Sequence, residues 1–152
     1  MDLTKFCTKP ATTVTKDSNI EEAAKLMREF HVGNLVVVDG KGINAKPIGI
    51  LTDRDIVMST VALGIDPADM DVGEIMSTNL YTIKSNESIY RVIGLMKEYG
   101  VRRVPVVNEE GGLVGVLSVA DLLALLSNEL QEIANLPKKQ KQIEETRRRH
   151  IA

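Results

Sequence analysis

Two short stretches of the 152-residue sequence combine a hydroxyl side chain with a carboxylate three residues later. They are Thr52 with Asp55 and Ser118 with Asp121. An ionised carboxylate accepts strong hydrogen bonds from two adjacent hydroxyls, such as those of a ribose. A helix that begins at the Thr or Ser presents free N–H groups, which attract phosphate. The pattern therefore predicts a site for a sugar phosphate, and simple helix capping is the alternative.

The two motifs occupy corresponding positions of an internal repeat. Before residue 40 the halves of the chain match at an offset of 69, and after residue 47 at an offset of 66. Three extra residues in the loop around residues 40–47 account for the change, because surface loops tolerate insertions. The matched pairs are Thr13/Thr82, Val14/Ile83, Ile20/Ile89, Leu26/Leu95, Met27/Met96, Val32/Val101, Val37/Val106, Gly49/Gly115, Ile50/Val116, Leu51/Leu117, Thr52/Ser118 and Asp55/Asp121.

Both halves predict the same order of secondary structure. A short extended piece precedes a helix whose apolar residues recur at helical spacing from Ile20 or Ile89. Two β-branched strands joined by a Gly-containing loop follow, and a second helix begins at Thr52 or Ser118. The predicted strands are 12–14, 35–38 and 48–51 in the first half, and 80–83, 104–107 and 113–117 in the second.

This order predicts a mixed α/β (α+β) fold of two tandem βαββα repeats. Neither half, at about 60 residues, buries a sufficient core alone, so the repeats should pack on each other with pseudo-two-fold symmetry. We divide the chain into a first repeat at 1–66, a second repeat at 67–128, and a C-terminal helix with a basic tail at 129–152.

Capping residues and a proline predict where the helices begin and end. Asp17 and its match Asn86 are predicted to cap the first helix of each repeat. A capping box of Ser18 with Glu21 is the alternative in the first half. The last helix is predicted to stop at Pro137, which lacks the backbone donor that a helix interior needs.

Three segments carry a resemblance to a known family. They are Gly49-Ile50-Leu51-Thr52-Asp53-Arg54-Asp55, Gly100-Val101-Arg102-Arg103-Val104-Pro105-Val106-Val107 and Gly115-Val116-Leu117-Ser118-Val119-Ala120-Asp121. Over residues 8–128 the chain resembles a pair of cystathionine-β-synthase (CBS) domains, called a Bateman module. The resemblance implies a regulatory module that binds AMP, ADP, ATP or a related adenosyl ligand such as S-adenosylmethionine in clefts between the repeats. It also implies a flat, disc-shaped homodimer that signals to an effector protein, which the sequence does not name.

By the same resemblance, three arginines contact phosphate. Arg54 precedes the first ribose carboxylate, and its match in the second repeat is an alanine. Arg102 and Arg103 have Gly33 and Asn34 as their matches. A planar guanidinium group binds phosphate through two parallel hydrogen bonds, which suits this role. Surface ion pairing, which stabilises little, is the alternative for all three.

The resemblance also implies that the segment leading into each repeat lines the site of the other repeat. An adenine ring needs an apolar slot with polar backbone edges. The site around Asp55 is then lined by Asn79, Leu80, Tyr81 and Ile50. The site around Asp121 is lined by Pro10, Ala11, Thr12 and Val116.

The Asp55 site is the predicted principal site, because its slot is bulkier and its surroundings are more positive. Tyr81 is predicted either to stack on the base or to pack in the core. The repeats depart from symmetry at Val36, since the second repeat has Pro105 there.

Composition argues against several classes of protein. The formal net charge of −2 argues against a surface that wraps nucleic acid, and the 3% aromatic content argues against a base-stacking platform. The 43% hydrophobic content suffices for an aliphatic core. Since no apolar run approaches the roughly 20 residues of a membrane helix, no membrane association is expected. The single Cys7 and the lack of an apolar leader predict the cytoplasm.

Enzymatic and metal-binding functions have no residue pattern to support them. His31 and His150 lie far apart in sequence, and Cys7 is the sole cysteine. A nucleophile with a neighbouring base and a set of metal ligands both need such residues in close spacing. The chain is therefore expected to be a non-enzyme with no metal and no catalytic cofactor.

The C-terminal region predicts contacts with other molecules. Residues 138–150 hold six Lys or Arg and two Glu, a net of +4, which leaves −6 on the remainder. A basic tail indicates either an anionic partner such as nucleic acid, or a solvated helix end. The last helix of each repeat carries apolar groups, and those of the 122–126 cluster lie on more than one face. One face can pack on the helix's own sheet, and the remainder predicts a homodimer, with a tail folded back over it as the alternative. These groups are Ile56, Val57, Val61, Leu122, Leu123, Leu125, Leu126, Leu130, Ile133 and Leu136.

Overall fold

The computed structural model describes residues 2–151, with side chains up to Arg149. The part of the chain up to Ser118 and the part from Val119 onward form two compact units. The strands are β1 (Thr13–Thr15), β2 (Asn34–Asp39), β3 (Lys46–Thr52), β4 (Ile83–Lys84), β5 (Arg103–Val107) and β6 (Leu113–Ser118). The α-helices are α1 (Ile20–Phe30), α2 (Asp53–Ser59), α3 (Val72–Ile75), α4 (Ile89–Tyr99) and α5 (Val119–Ile151). Short 3-10 helices lie at Leu3–Lys5, Gly42–Asn44, Val61–Leu63 and Pro67–Asp69.

The first repeat is a three-stranded sheet covered by α1. Its order is β1-β2-β3, with β1 parallel and β3 antiparallel to the central strand β2. The four residues from Leu35 to Val38 are all buried, as expected of a central strand covered on both faces. One face of α1 contributes Ile20, Ala23 and Met27 to an otherwise aliphatic core. Burial of this face holds the helix on the sheet.

The second repeat has the same topology, β4-β5-β6, again with one parallel and one antiparallel pair. The predicted mixed fold of two βαββα repeats is therefore confirmed. The first strand of this repeat is shorter than the predicted 80–83, since β4 holds only Ile83 and Lys84. The Leu80 N–H donates to the Thr78 carbonyl at 2.8 Å instead of to a strand.

The caps of α1 and α4 differ from the predicted ones. Asn19 caps α1, accepting from the Glu22 N–H at 2.9 Å, while Glu22 accepts from the Asn19 N–H at 3.3 Å. Ser88 caps α4. The predicted caps Asp17 and Asn86 lie two residues too early, because a cap must directly precede the first helical residue to reach the free N–H groups.

The helix α5 continues to Ile151, so the predicted stop at Pro137 is wrong. A proline removes one backbone donor and crowds the preceding turn. Here the residues that follow it favour helix strongly, among them Lys138, Lys139 and Gln140, and the helix resumes its bonding pattern. Leu122 and Leu125 are buried, whereas the neighbouring Leu123 and Leu126 are exposed. No helix among the described residues is both long and apolar enough to cross a membrane.

Candidate ligand-binding cleft

The segments that lead into the two repeats cross over to the opposite sheet. Thr8 pairs with Val116 of β6, with N–H to carbonyl distances of 2.9 and 3.3 Å. Ser77 pairs with Ile50 of β3 at 2.8 and 3.0 Å. The chain that follows Thr8 therefore starts beside the last strand of the second repeat, and the chain that follows Ser77 starts beside the last strand of the first.

Two glycines make these crossings close. A Cβ atom on Gly49 would lie 2.9 Å from both the Ser77 carbonyl oxygen and the Met76 sulfur. A Cβ atom on Gly115 would lie 2.9 Å from the Thr8 carbonyl oxygen and 2.5 Å from the Cys7 sulfur. Since real Cβ atoms do not approach so closely, only glycine permits the crossing at either position.

A cavity of about 200 Å³ lies between the two repeats. It is lined by Asn34, Val36, Ile50, Thr52, Val101, Arg102, Arg103 and Val116. Five of these residues were predicted for ligand sites: Ile50, Thr52, Arg102, Arg103 and Val116. The wall thus combines aliphatic side chains from both repeats with two guanidinium groups, an arrangement typical of sites for an apolar ring that carries an anion.

Arg103 connects the repeats across this cavity. It donates from Nε and Nη1 to the side-chain oxygen of Asn34 at 3.0 and 2.8 Å, with the amide oriented by these bonds. Among the described residues, neither Arg102 nor Arg103 forms an ion pair with a carboxylate. Within the described residues, no carboxylate therefore pairs with the positive charge at the cavity.

Thr52 and Asp55 form a reciprocal capping box at the start of α2. The Thr52 N–H donates to Asp55 Oδ2 at 2.9 Å, and the Asp55 N–H donates to Thr52 Oγ1 at 3.1 Å. Within the described part of the chain, Asp55 Oδ1 has no hydrogen-bond partner. Capping and ligand binding are therefore compatible here, because capping uses only one of the two carboxylate oxygens.

The corresponding pair in the second repeat, Ser118 and Asp121, lies at the end of β6 and the first turn of α5. Both side chains are half-buried, and both take part in interactions with other groups of the protein. Pro10 and Ala11 line a larger cavity of about 560 Å³, and the Thr12 carbonyl accepts from the Val36 N–H at 3.2 Å.

The remaining predicted residues lie outside the cleft lining. Arg54 is exposed, and its N–H donates to Asp53 Oδ1 at 2.8 Å. Asn79 is exposed and Leu80 is half-buried. Tyr81 stacks on Tyr99, with ring centroids 3.7 Å apart and an angle of 16° between the planes. Because Tyr99 covers one face of the Tyr81 ring, that face is not available for stacking on a base.

Tyr99 itself belongs to the exposed surface of α4 rather than to the core. The negative charge of the adjacent Glu98 raises the pKa of Tyr99 above its ordinary value. The phenol of Tyr99 therefore stays neutral at physiological pH.

Three lining residues were not predicted: Asn34, Val36 as a lining group, and Val101. Asn34 could have been identified from the repeat alignment, because it matches Arg103. Two residues at equivalent positions of a two-fold pair meet when they lie near the axis. Val101 could have been identified from its position in the sequence, since it directly precedes Arg102.

The fold is thus a tandem pair of βαββα repeats with a charged cleft between them. A model of the CBS domain family matches residues 2–61 and 72–128. The chain belongs to the CBS domain family.

Curated relatives cover most of the chain. Hypoxic response protein 1 of Mycobacterium tuberculosis is 38% identical over 111 residues, which is 73% of this chain and 75% of the relative. The CBS domain-containing protein YhcV of Bacillus subtilis is 39% identical over 118 residues, 77% of this chain and 80% of the relative. The chain spans only 50% of the uncharacterised protein MK0525 of Methanopyrus kandleri, to which it is 35% identical over 102 residues, 67% of this chain.

Solved structures share the fold. Hypoxic Response Protein I, crystallised with two coordinated zinc ions, has a TM-score of 0.69 at 34% identity and covers 82% of this chain and 98% of its own. The CBS domain pair of protein MJ0100, in complex with 5-methylthioadenosine and S-adenosyl-L-methionine, has a TM-score of 0.71 at 28% identity. The match covers 85% of this chain and 98% of the MJ0100 chain. Protein PAE2072 from Pyrobaculum aerophilum, complexed with AMP, has a TM-score of 0.69 at 26% identity. The match covers 80% of this chain and 90% of the PAE2072 chain.

The solved structure of Hypoxic Response Protein I contains two coordinated zinc ions. Within the described residues, no group of three or more His, Cys, Asp or Glu side chains is placed to hold a metal ion.

Proposed function

We propose that this chain is a regulatory module that binds an adenine nucleotide, AMP, ADP or ATP, in the cleft between its two repeats. The observation that carries the proposal is the pair Arg102 and Arg103, which line an apolar cavity without a carboxylate partner in the described chain. Uncompensated cations beside aliphatic walls favour a ligand that combines an apolar ring with phosphate.

Each part of the nucleotide has a proposed partner. The free Oδ1 of Asp55 accepts from the ribose hydroxyls, and the start of α2 attracts phosphate. Ile50, with Val36, contacts the base from the cavity wall. Arg102 and Arg103 bind the phosphates, and Arg54 reaches them from α2.

The cavity volume of about 200 Å³ is below the usual range of about 300–1,000 Å³ for ligand sites. We therefore expect the exposed arginine side chains to move outward when a whole nucleotide binds. Asn79, Leu80 and the other face of Tyr81 are proposed to cover the base. A second, weaker site is proposed at Asp121, with Ser118, Val116, Pro10, Ala11 and Thr12.

Charge favours a nucleotide over S-adenosylmethionine. The structure of PAE2072 was solved with AMP, and that of the MJ0100 pair with adenosyl sulfur compounds, so both ligand types suit the family. S-adenosylmethionine carries a positive sulfonium centre. Two neighbouring guanidinium groups repel that centre and attract phosphate, so the cleft favours the nucleotide.

The module is proposed to be non-enzymatic and to pass ligand binding on to an effector protein. We further propose a homodimer, domain boundaries at 1–66, 67–128 and 129–152, and a cytoplasmic setting consistent with the single Cys7. The competing function is a dimer scaffold with empty clefts. A regulator that contacts nucleic acid through its basic tail is the other competitor.

Isothermal titration calorimetry with adenosine, AMP, ADP, ATP and S-adenosylmethionine tests the proposal on the full chain. We expect each nucleotide to bind more tightly than adenosine, and S-adenosylmethionine to bind more weakly than AMP. A ligand that binds only the folded state also raises the melting temperature, which gives a second readout. Equal affinity for adenosine and AMP, or no binding of any of the five compounds, would refute the proposal.

A further inference from the structure

An exposed apolar stripe runs along α5. It consists of Leu123, Leu126, Leu130, Ile133, Leu136 and Ile143, whose side chains are between 42% and 66% exposed. Successive members are three, four, three, three and seven residues apart, so they follow one side of the helix. The last four lie beyond residue 128, where the match to the CBS family ends. Most of the stripe thus lies beyond the paired domains.

The charges of α5 are separated along its length. Its acidic half, residues 119–135, contains Asp121, Glu129 and Glu132 with no Lys or Arg, a net of −3. Its basic half, residues 138–149, contains six Lys or Arg and two Glu, a net of +4. A charge distribution of this kind is self-complementary only in one relative orientation of two helices.

We propose that the apolar stripe of one chain packs against that of a second copy, with the two α5 helices antiparallel. An antiparallel arrangement places each acidic half against the basic half of the partner, twice, as two-fold symmetry requires. A parallel arrangement would place like charges together over the whole length, which is unfavourable. Charge therefore specifies the orientation, and burial of the stripe supplies the stabilisation.

This inference adds a surface and an orientation to the homodimer of the proposed function, and it does not depend on nucleotide binding. The stripe spans residues 123–143, about 30 Å of helix at 1.5 Å per residue. Both helices contribute the same side chains, so a single substitution acts twice in the dimer. Because exposed ion pairs are screened by salt, the association should weaken as ionic strength rises.

Analytical ultracentrifugation of full-length variants tests the stripe. Leu130→Gln with Ile133→Gln removes two apolar contacts per chain and keeps good helix formers. The matched control is Ala124→Gln with Asn128→Gln, since both of those residues are exposed on the opposite side of α5. We expect the first variant to raise the dimer dissociation constant about tenfold or more, and the control to leave it unchanged. Equal association of the first variant and wild type would overturn the proposal.

Charge reversal tests the antiparallel orientation. Glu129→Lys with Glu132→Lys turns the acidic half to a net of +1, and Lys138→Glu, Lys139→Glu and Lys141→Glu turn the basic half to −2. Each reversed chain alone should associate about tenfold or more less tightly than wild type at low salt. A chain that carries all five substitutions should recover part of the lost association and bind more tightly than either reversed chain, because its halves, at +1 and −2, are again opposite. Failure of the five-fold variant to recover would overturn the antiparallel pairing.

Measurements of AMP binding and of helix content distinguish this inference from the proposed function. All the α5 variants should bind AMP as wild type does, with circular dichroism showing unchanged helix content. Failure of wild type to bind AMP refutes the proposed function and leaves the ultracentrifugation result valid. A wild-type chain that stays monomeric at high micromolar concentration and low salt would overturn the self-pairing. Binding of a DNA duplex by that monomer would assign the basic half to nucleic acid instead.

Discussion

Asn34 and Arg103 occupy corresponding positions of the two repeats, 69 residues apart, and hydrogen-bond to each other. Each begins the central strand of its sheet, and each pairs across that sheet with the hydroxyl residue of its own repeat, Thr52 or Ser118. The pseudo-two-fold relation therefore brings these equivalent positions together. Two arginines would repel each other there, and two asparagines would carry no charge. Because the two positions have diverged, this pair holds one cation, Arg103, and its hydrogen-bond partner Asn34 is neutral.

Asn34→Asp should lower nucleotide affinity while leaving the fold intact. The new carboxylate pairs with Arg103 and competes with phosphate for it, so we expect a loss of about tenfold in AMP affinity. Stability should change little, because a hydrogen bond is replaced by an ion pair at an exposed arginine. Asn44→Asp, at the exposed end of the 3-10 helix Gly42–Asn44 and outside the cleft lining, is the control for added charge. An unchanged AMP affinity in Asn34→Asp, measured by calorimetry, would argue against phosphate at Arg103.

Asp55→Ala should weaken adenine-nucleotide binding by removing the ribose partner. Loss of a hydrogen bond to a charged group costs about 1.5–3 kcal/mol. Since the substitution also removes half of the capping box, Asp55→Asn is needed beside it: the amide oxygen can still accept from the Thr52 N–H. Both variants should lose affinity, and only Asp55→Ala should lose stability. Calorimetry that shows wild-type AMP affinity in both would exclude Asp55 as the ribose partner.

Arg102→Ala and Arg103→Ala should each reduce the preference for AMP over adenosine. The guanidinium groups contact phosphate and not the nucleoside, so adenosine affinity should stay constant while AMP affinity falls by several-fold. Arg28→Ala is the matched control, an exposed arginine in the last turn of α1. The informative quantity is the ratio of the two affinities in each variant. A ratio that does not move in either cleft variant contradicts the phosphate role.

Gly49→Ala and Gly115→Ala should destabilise the chain at the two crossings. An added methyl group would meet backbone oxygen at 2.9 Å in each case, and crowding of this kind costs about 1–3 kcal/mol. Gly94→Ala is a sharp control, because a Cβ there meets nothing within 4 Å and α4 gains helix propensity. That variant should be more stable than wild type by up to about 1 kcal/mol. Urea denaturation measures all three, and equal stabilities would disprove the close crossings.

Much of the fold follows from local patterns in the sequence. The apolar spacing of α1 and the β-branched run of β2 each depend on residues close in the chain, and the repeat supplied a second copy of every element. The capping box at Thr52 and Asp55 is also local, because it joins residues three apart. The cap of α1 was predicted incorrectly, because two candidate residues lie near each other and Asn19, not Asp17, directly precedes the helix.

The cleft depended on contacts between residues that are distant in the chain. The sequence by itself determined the repeat, the family resemblance and the residue types of the motifs, because these reside in composition and spacing. Only the tertiary structure decided that Asn34 meets Arg103 and that Tyr81 stacks on Tyr99. It also decided that α5 passes through Pro137, and that Leu122 and Leu125 are buried while other leucines of α5 stay exposed. Such outcomes depend on how whole surfaces pack and on whether a locally unfavourable residue is outweighed by its neighbours, and no local pattern encodes that balance.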